Sequence, residues 1–149
     1  MLGELRELPR FNSLKNYVEK ILAEKGEKIV SIILFGSMAK GTYTKHSDYD
    51  LLLIVSGEKL SFKERLYEYS KPSNGWVEAL AYTREEAKAM LESFNPLILD
   101  ALKDGKVIYD RGFWKQLKNI FEKLLAKGII TPKESGWTIR REKLKTGSP

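Results

Sequence analysis

The sequence predicts an α/β (α+β) protein, a small mixed β-sheet flanked by helices, and three observations carry that expectation. Apolar runs at 29–35, which is β-branched, and at 50–55 and 76–82 read as strands. Between and after them, apolar residues recur at helical spacing. The order is helix, strand, short helix, strand, helix, strand, then helices, which suits helices packed on a sheet.

Phe11, Leu14, Tyr17, Val18, Ile21 and Leu22 line one face of a first helix that Gly26 closes. Ile29 to Phe35 forms a strand that Gly36 ends. Asp50 to Val55 is apolar on both faces, so it should lie centrally in a covered sheet. Ser61 and Glu64 make a capping box for a helix through Tyr69, and Pro72, Ser73, Asn74 and Gly75 form a loop. Trp76 to Tyr82 is a third strand. Thr83 and Glu86 make a second capping box, for a helix through Leu91. Asn95-Pro96 starts a helix that stops at Gly105, and Lys106 to Tyr109 reads as a short strand. Phe113, Trp114, Leu117, Ile120, Phe121, Leu124 and Leu125 then define a strongly amphipathic helix ended by Gly128. Beyond Thr131 the chain turns polar and basic, with Trp137 its one large apolar anchor.

Composition bounds the function. The 149 residues fit one domain, and 42% hydrophobic with 31% charged residues describe a soluble globular chain. No apolar stretch approaches a membrane span and no leader opens the chain, so the expected location is the cytoplasm. The absence of cysteine excludes disulfides, thiolate metal sites and thiol nucleophiles. His46, the single histidine, excludes a histidine-rich metal site; it reads as a solvent-facing loop residue. A net charge of +6 suits an anionic ligand. The only local excess is Arg140, Arg141, Lys143 and Lys145, and no recognition helix or aromatic–basic platform makes nucleic acid the favoured partner.

The chemistry concentrates between Phe35 and Leu51. Gly36 lets backbone pass close to a ligand, and Ser37 offers a hydroxyl and an N–H at the start of a short helical turn that can take phosphate. Gly41 turns the chain back, and Lys40 could meet phosphate or equally be a surface charge. This is not a P-loop, because Lys40 precedes its glycine. Ten residues after Ser37, Ser47 precedes Asp48 and Asp50, which a pleated strand sends the same way. Alone, a Gly-Ser pair marks an ordinary strand-to-helix turn, and an Asp-x-Asp marks a capped turn at a solvated edge. Together, ahead of an apolar strand, they point to hard oxygen ligands for Mg²⁺ beside substrate phosphates. Glu78, the sole charge in Trp76–Tyr82, is the candidate third carboxylate, on the face shared with Trp76, Leu80 and Tyr82. Its alternative is an edge-strand glutamate reaching solvent or a lysine. Asp100, Asp104 and Asp110 read as capping residues.

Gly36-Ser37, Gly41 and Ser47-Asp48-x-Asp50-Leu51 resemble the signature of the DNA polymerase beta-like nucleotidyltransferase superfamily, and within it the minimal nucleotidyltransferases. These are small archaeal and bacterial proteins often encoded beside a HEPN-domain protein. The resemblance spans about the first 110 residues by order of elements, but its specific part is 35–51. It implies a polymerase-beta-like nucleotidyltransferase fold, with a nucleotidyltransferase domain over 1–130 and a basic C-terminal tail over 131–149. It further implies that the turn of Gly36, Ser37 and Gly41 holds the nucleoside triphosphate, with Lys40 a candidate contact beside it, and that Asp48, Asp50 and, by position only, Glu78 bind two Mg²⁺ ions and are catalytic. Glu78 stands where the family commonly has aspartate.

The expected activity is transfer of a nucleoside monophosphate from ATP or another NTP to an acceptor hydroxyl. The resemblance implies an acceptor on a HEPN-type toxin, with this chain as antitoxin. The alternatives are an aminoglycoside-type small-molecule acceptor and an antitoxin that neutralises by contact alone, without catalysis.

Overall fold

The computed structural model describes residues 2–146, with the backbone alone for 145 and 146. The Lys145 side chain of the expected basic cluster, and residues 147–149 of the expected tail, thus lie outside the described residues.

After a 3-10 turn at Leu2–Leu5, helix α1 spans Phe11–Lys25, followed by strand β1 at Ile29–Phe35 and the short helix α2 at Gly36–Lys40. Strand β2 (Tyr49–Val55), helix α3 (Phe62–Ser70), strand β3 (Val77–Thr83) and helix α4 (Arg84–Glu92) come next. Helix α5 (Pro96–Asp104), strand β4 (Lys106–Asp110) and helix α6 (Phe113–Ala126) complete the region read as regular structure from the sequence. Both capping boxes form: Ser61 and Thr83 accept from the N–H groups of Glu64 and Glu86, whose carboxylates accept in return from the capping residues' N–H groups.

The four strands make one mixed sheet in the order β3-β2-β1-β4. β1 is antiparallel to both β2 and β4, whereas β2 and β3 are parallel. A parallel pair needs a crossover, and α3 supplies it. The central place expected for β2 follows from burial: Leu51 to Val55 are all fully buried. One sheet face packs Ile32, Leu34, Leu51, Leu53 and Ala79 against Leu14, Tyr17, Val18 and Ile21 of α1. The other packs Ile33, Leu52 and Ile54 against Ala87, Leu91, Ile98, Leu102, Leu117 and Phe121 of α4 to α6. Each such aliphatic side chain contributes about 1.5–3 kcal/mol on leaving water.

The polar segment after Thr131 contains structure that its composition does not announce. Strands β5 (Ile130–Pro132) and β6 (Trp137–Ile139) pair antiparallel, and the short helix α7 spans Glu142–Thr146. Trp137 packs edge-on against Phe121 at 5.8 Å and donates from Nε1 to Asp100 at 2.8 Å. Asp100 is therefore no cap, as read from sequence, but the mid-helix acceptor that anchors this hairpin. Asp110 does cap: it accepts from the Trp114 and Lys115 N–H groups and from the Ser31 hydroxyl.

Arg65 is the one buried cation among the described residues. It is 3% exposed and donates to the Ala81 and Leu60 carbonyls and to Glu86. Replacing it with alanine strands the buried Ala81 carbonyl and removes packing at the α3–β3 contact. We expect Arg65→Ala to cost about 2–3 kcal/mol and to lower the midpoint of thermal unfolding by roughly 4–12 °C in calorimetry. A midpoint equal to wild type would show that this network contributes nothing.

Candidate active site

The site is assembled at one end of the two central strands. β1 runs apolar to Phe35 and stops at Gly36, which takes a left-handed φ of +73° that L side chains rarely adopt. A Cβ on Gly36 would lie 2.4 Å from Oδ2 of Asp50, so the turn and this carboxylate touch through the space that glycine leaves. The sequence reading assigned that space to a ligand; the structure fills part of it with Asp50. Ser37 follows in the first turn of α2, and its carbonyl accepts from the N–H groups of Gly41 (2.9 Å) and Thr42 (3.1 Å). Gly41, at φ +81°, ends the turn in the left-handed conformation that glycine adopts at helix ends.

Asp50 pairs with Phe35 across β1 and with Glu78 across β3. The pleat sends it to the face of Leu52 and Ile54, beyond the cover of the helices that seal those residues. Burial pushes the Asp50 carboxyl up to about 6, and the neighbouring charges of Glu78 and then Asp48 push the same way. Asp50 thus feels the charges of both other carboxylates.

Two placements differ from expectation. β2 begins at Tyr49, leaving Asp48 exposed on the loop just before it, because the Tyr49 N–H makes the first ladder bond, to the Trp76 carbonyl at 2.9 Å. Glu78 is exposed rather than buried. The cause is sheet order: β3 is an edge strand, with Val77, Ala79 and Ala81 buried on one face while Glu78 stands on the open one. Among the described residues, no three acidic or histidine side chains converge as a ready-made metal cage. Lys40 is exposed and lines a polar cleft of about 230 Å³ with Asp100, Lys103, Asp104 and the β5–β6 turn. His46 is exposed in the 41–48 loop, where its N–H donates to the Thr44 hydroxyl.

Arg10 carries no motif, yet its guanidinium reaches this loop. Nη1 donates to the Lys45 carbonyl at 2.7 Å and Nη2 to the Ser47 carbonyl, while Cζ lies 3.8 Å from the Trp76 ring centroid. An arginine separated from its partners by 35 to 37 residues leaves no local signal in a sequence.

Residues 15–127 match the family model described as a nucleotidyltransferase domain. The chain belongs to that family. It is 33% identical over 142 residues to a candidate protein adenylyltransferase of Methanocaldococcus jannaschii, covering 86% of this chain and 92% of that one. The fold is shared with a candidate nucleotidyltransferase of Sulfolobus solfataricus: TM-score 0.50, 24% identity, 67% of this chain and 79% of that one. It is shared too with a toxin–antitoxin structure solved with AMP-PNP, at TM-score 0.50 and 17% identity over 75% of this chain and 86% of that one. Spectinomycin adenyltransferase of Enterococcus faecialis, solved with ATP and spectinomycin, matches at TM-score 0.52 and 16% identity over 91% of this chain and 63% of its own.

The crowding of Asp50 has a signed consequence for stability. A carboxyl whose pKa is raised in the folded state binds protons more tightly there than when unfolded. Stability is therefore lost as pH rises from about 4 to about 6, and that penalty persists at neutral pH in the metal-free protein. Discounted for partial exposure, it is on the order of 1–2 kcal/mol. Metal-free Asp50→Asn should unfold a few degrees above wild type at pH 7.5 and level with it at pH 4. Equal midpoints at both pH values would mean that folding does not raise the Asp50 pKa. Gly36→Ala should do the reverse: strain and the collision with Asp50 should destabilise by about 1–3 kcal/mol, checked by denaturant unfolding.

Proposed function

We propose that this nucleotidyltransferase is a Mg²⁺-dependent adenylyltransferase that moves AMP from ATP to a hydroxyl of a partner protein, a HEPN-type toxin whose antitoxin it is. The observation that carries the reading is a carboxylate set against a phosphate-type turn, Asp50 touching the Gly36 space and lying beside Glu78 in register. The Methanocaldococcus relative, matched over nearly its whole length and named for protein adenylylation, supports a protein acceptor and AMP as the group moved.

The donor set suits the metal. Asp48, Asp50 and Glu78 present hard oxygens, and the charges of Glu78 and Asp48 beside half-buried Asp50 are ones that a divalent cation would neutralise. Mg²⁺ keeps waters and takes substrate phosphates as ligands, so exposed carboxylates without a closed cage fit it. When bound, it supplies charge neutralisation for the triphosphate and a lower pKa for the attacking hydroxyl.

The chain's own residues position the reaction. Gly36 and Ser37 bring backbone and hydroxyl to the triphosphate, with Gly41 closing the turn and Lys40 at its far end. The acceptor hydroxyl gives its proton to solvent water as its oxygen bonds to the α-phosphorus, the bond from that phosphorus to the β-phosphate oxygen breaks, and pyrophosphate leaves with its electron pair. Glu78, on the open edge, faces the side from which a protein acceptor can approach. Catalysis is then chiefly alignment and charge, as phosphoryl transfer requires. A reaction that draws on ATP suits the cytoplasm.

The test is mass spectrometry of the neighbouring gene's product after incubation with ATP, Mg²⁺ and this protein. Wild type should add 5′-AMP to it, while Asp48→Asn and Asp50→Asn should not. Glu78→Gln should slow transfer by two orders of magnitude or more with nucleotide affinity nearly unchanged, the pattern of an interaction made in the transition state. Neutralisation of the partner by wild type without any adduct would overturn the catalytic reading and leave a contact antitoxin.

A further inference from the structure

We propose that Arg10 is a positioning residue: it clamps the loop carrying Asp48 to the start of β3 and so sets the approach of the carboxylate-bearing strands. The inference rests on the reading of Asp48, Asp50 and Glu78 as the metal-holding group.

The clamp has two arms on one planar group. The guanidinium donates to the carbonyls of Lys45 and Ser47, the second immediately preceding Asp48. Its face covers the Trp76 ring, two residues before Glu78. Arg10 thereby touches the backbone leading into β2 and the side chain leading into β3. Its neighbours repeat the pattern, since the Tyr49 hydroxyl donates to the Pro9 carbonyl at 2.6 Å and Asn74 donates to Ser13 at 3.0 Å.

Nothing about α1 itself requires this residue. Arg10 occupies the N-cap without making a side-chain cap, and its backbone is left-handed, φ +53°, where a side chain is strained. Its Nε is buried without a hydrogen-bond partner. A glycine would adopt that backbone more easily and asparagine would cap the helix better, so the gain comes from the fork and the stack. Lysine has neither the planar fork nor the stacking face and would not replace it. Arg10 also precedes residues 15–127, where the family match lies.

Arg10→Gly and Arg10→Lys separate this role from folding, with Arg65→Ala as a control destabilised elsewhere. Glycine accepts the left-handed backbone, so Arg10→Gly should unfold within a few degrees of wild type. Hydrogen exchange read by mass spectrometry should nevertheless rise about tenfold or more across residues 42–48. AMP transfer should fall by about 10²-fold, as displaced reacting groups produce, and the Mg²⁺ concentration for half-maximal rate should rise about tenfold. Arg10→Lys should resemble Arg10→Gly, whereas Arg65→Ala should lower the melting temperature and leave the Mg²⁺ requirement alone. Unchanged exchange in the loop overturns the clamp. Faster exchange with unchanged rate and Mg²⁺ requirement overturns the positioning role. Full transfer by Asp48→Asn and Asp50→Asn overturns the carboxylate reading itself, a result obtained with no Arg10 variant.

Discussion

Parallel pairing of β2 with β3 puts Asp50 beside Glu78, and two like charges set side by side repel. The backbone ladder does not relax to relieve them, because the same register buries Leu51 to Val55 in the centre of the molecule. Sliding β3 by one residue would turn Val77, Ala79 and Ala81 out of the core. Burial of the strands' apolar remainder therefore holds a local electrostatic conflict in place. The conflict sits at the strand ends, where the helices stop covering the sheet and a ligand can enter.

The two sheet faces divide the work. On one, α1 packs its apolar stripe and delivers Arg10 and Pro9, at its start, to the loop and to Tyr49. On the other, α4 to α6 seal Leu52 and Ile54 but leave Asp50 at the margin. The hairpin of β5 and β6 leans on α6 through Trp137 and on α5 through Asp100, bringing its turn to the cleft that Lys40 lines. Elements distant in the chain thus meet around the short turn at Gly36.

What could be read in the chain was local. The strands, both capping boxes, the α6 stripe and the Gly36-Ser37 turn each declare themselves within a few residues. What could not be read depended on contacts between distant segments. The exposure of Glu78 follows from β3 being an edge, and strand order is not written in the strand. Asp100 looks like any acid of a short helix until Trp137, 37 residues on, supplies a donor. The β5–β6 hairpin is only three residues a side, too short for a period to show. Gly36 was legible as a place of close approach, but not that Asp50 would be what approaches it.

The stacking of Trp76 under Arg10 gives the molecule an optical consequence. Indole emission responds to a cation held over the ring, so light from Trp76 reports whether that cation is in place. The chain has three tryptophans. Trp114 is sealed in the core and Trp137 is fixed between Phe121 and Asp100. Trp76 instead lies half-buried under Arg10, just before β3 and two residues before Glu78, a native fluorophore beside the carboxylate-bearing strands.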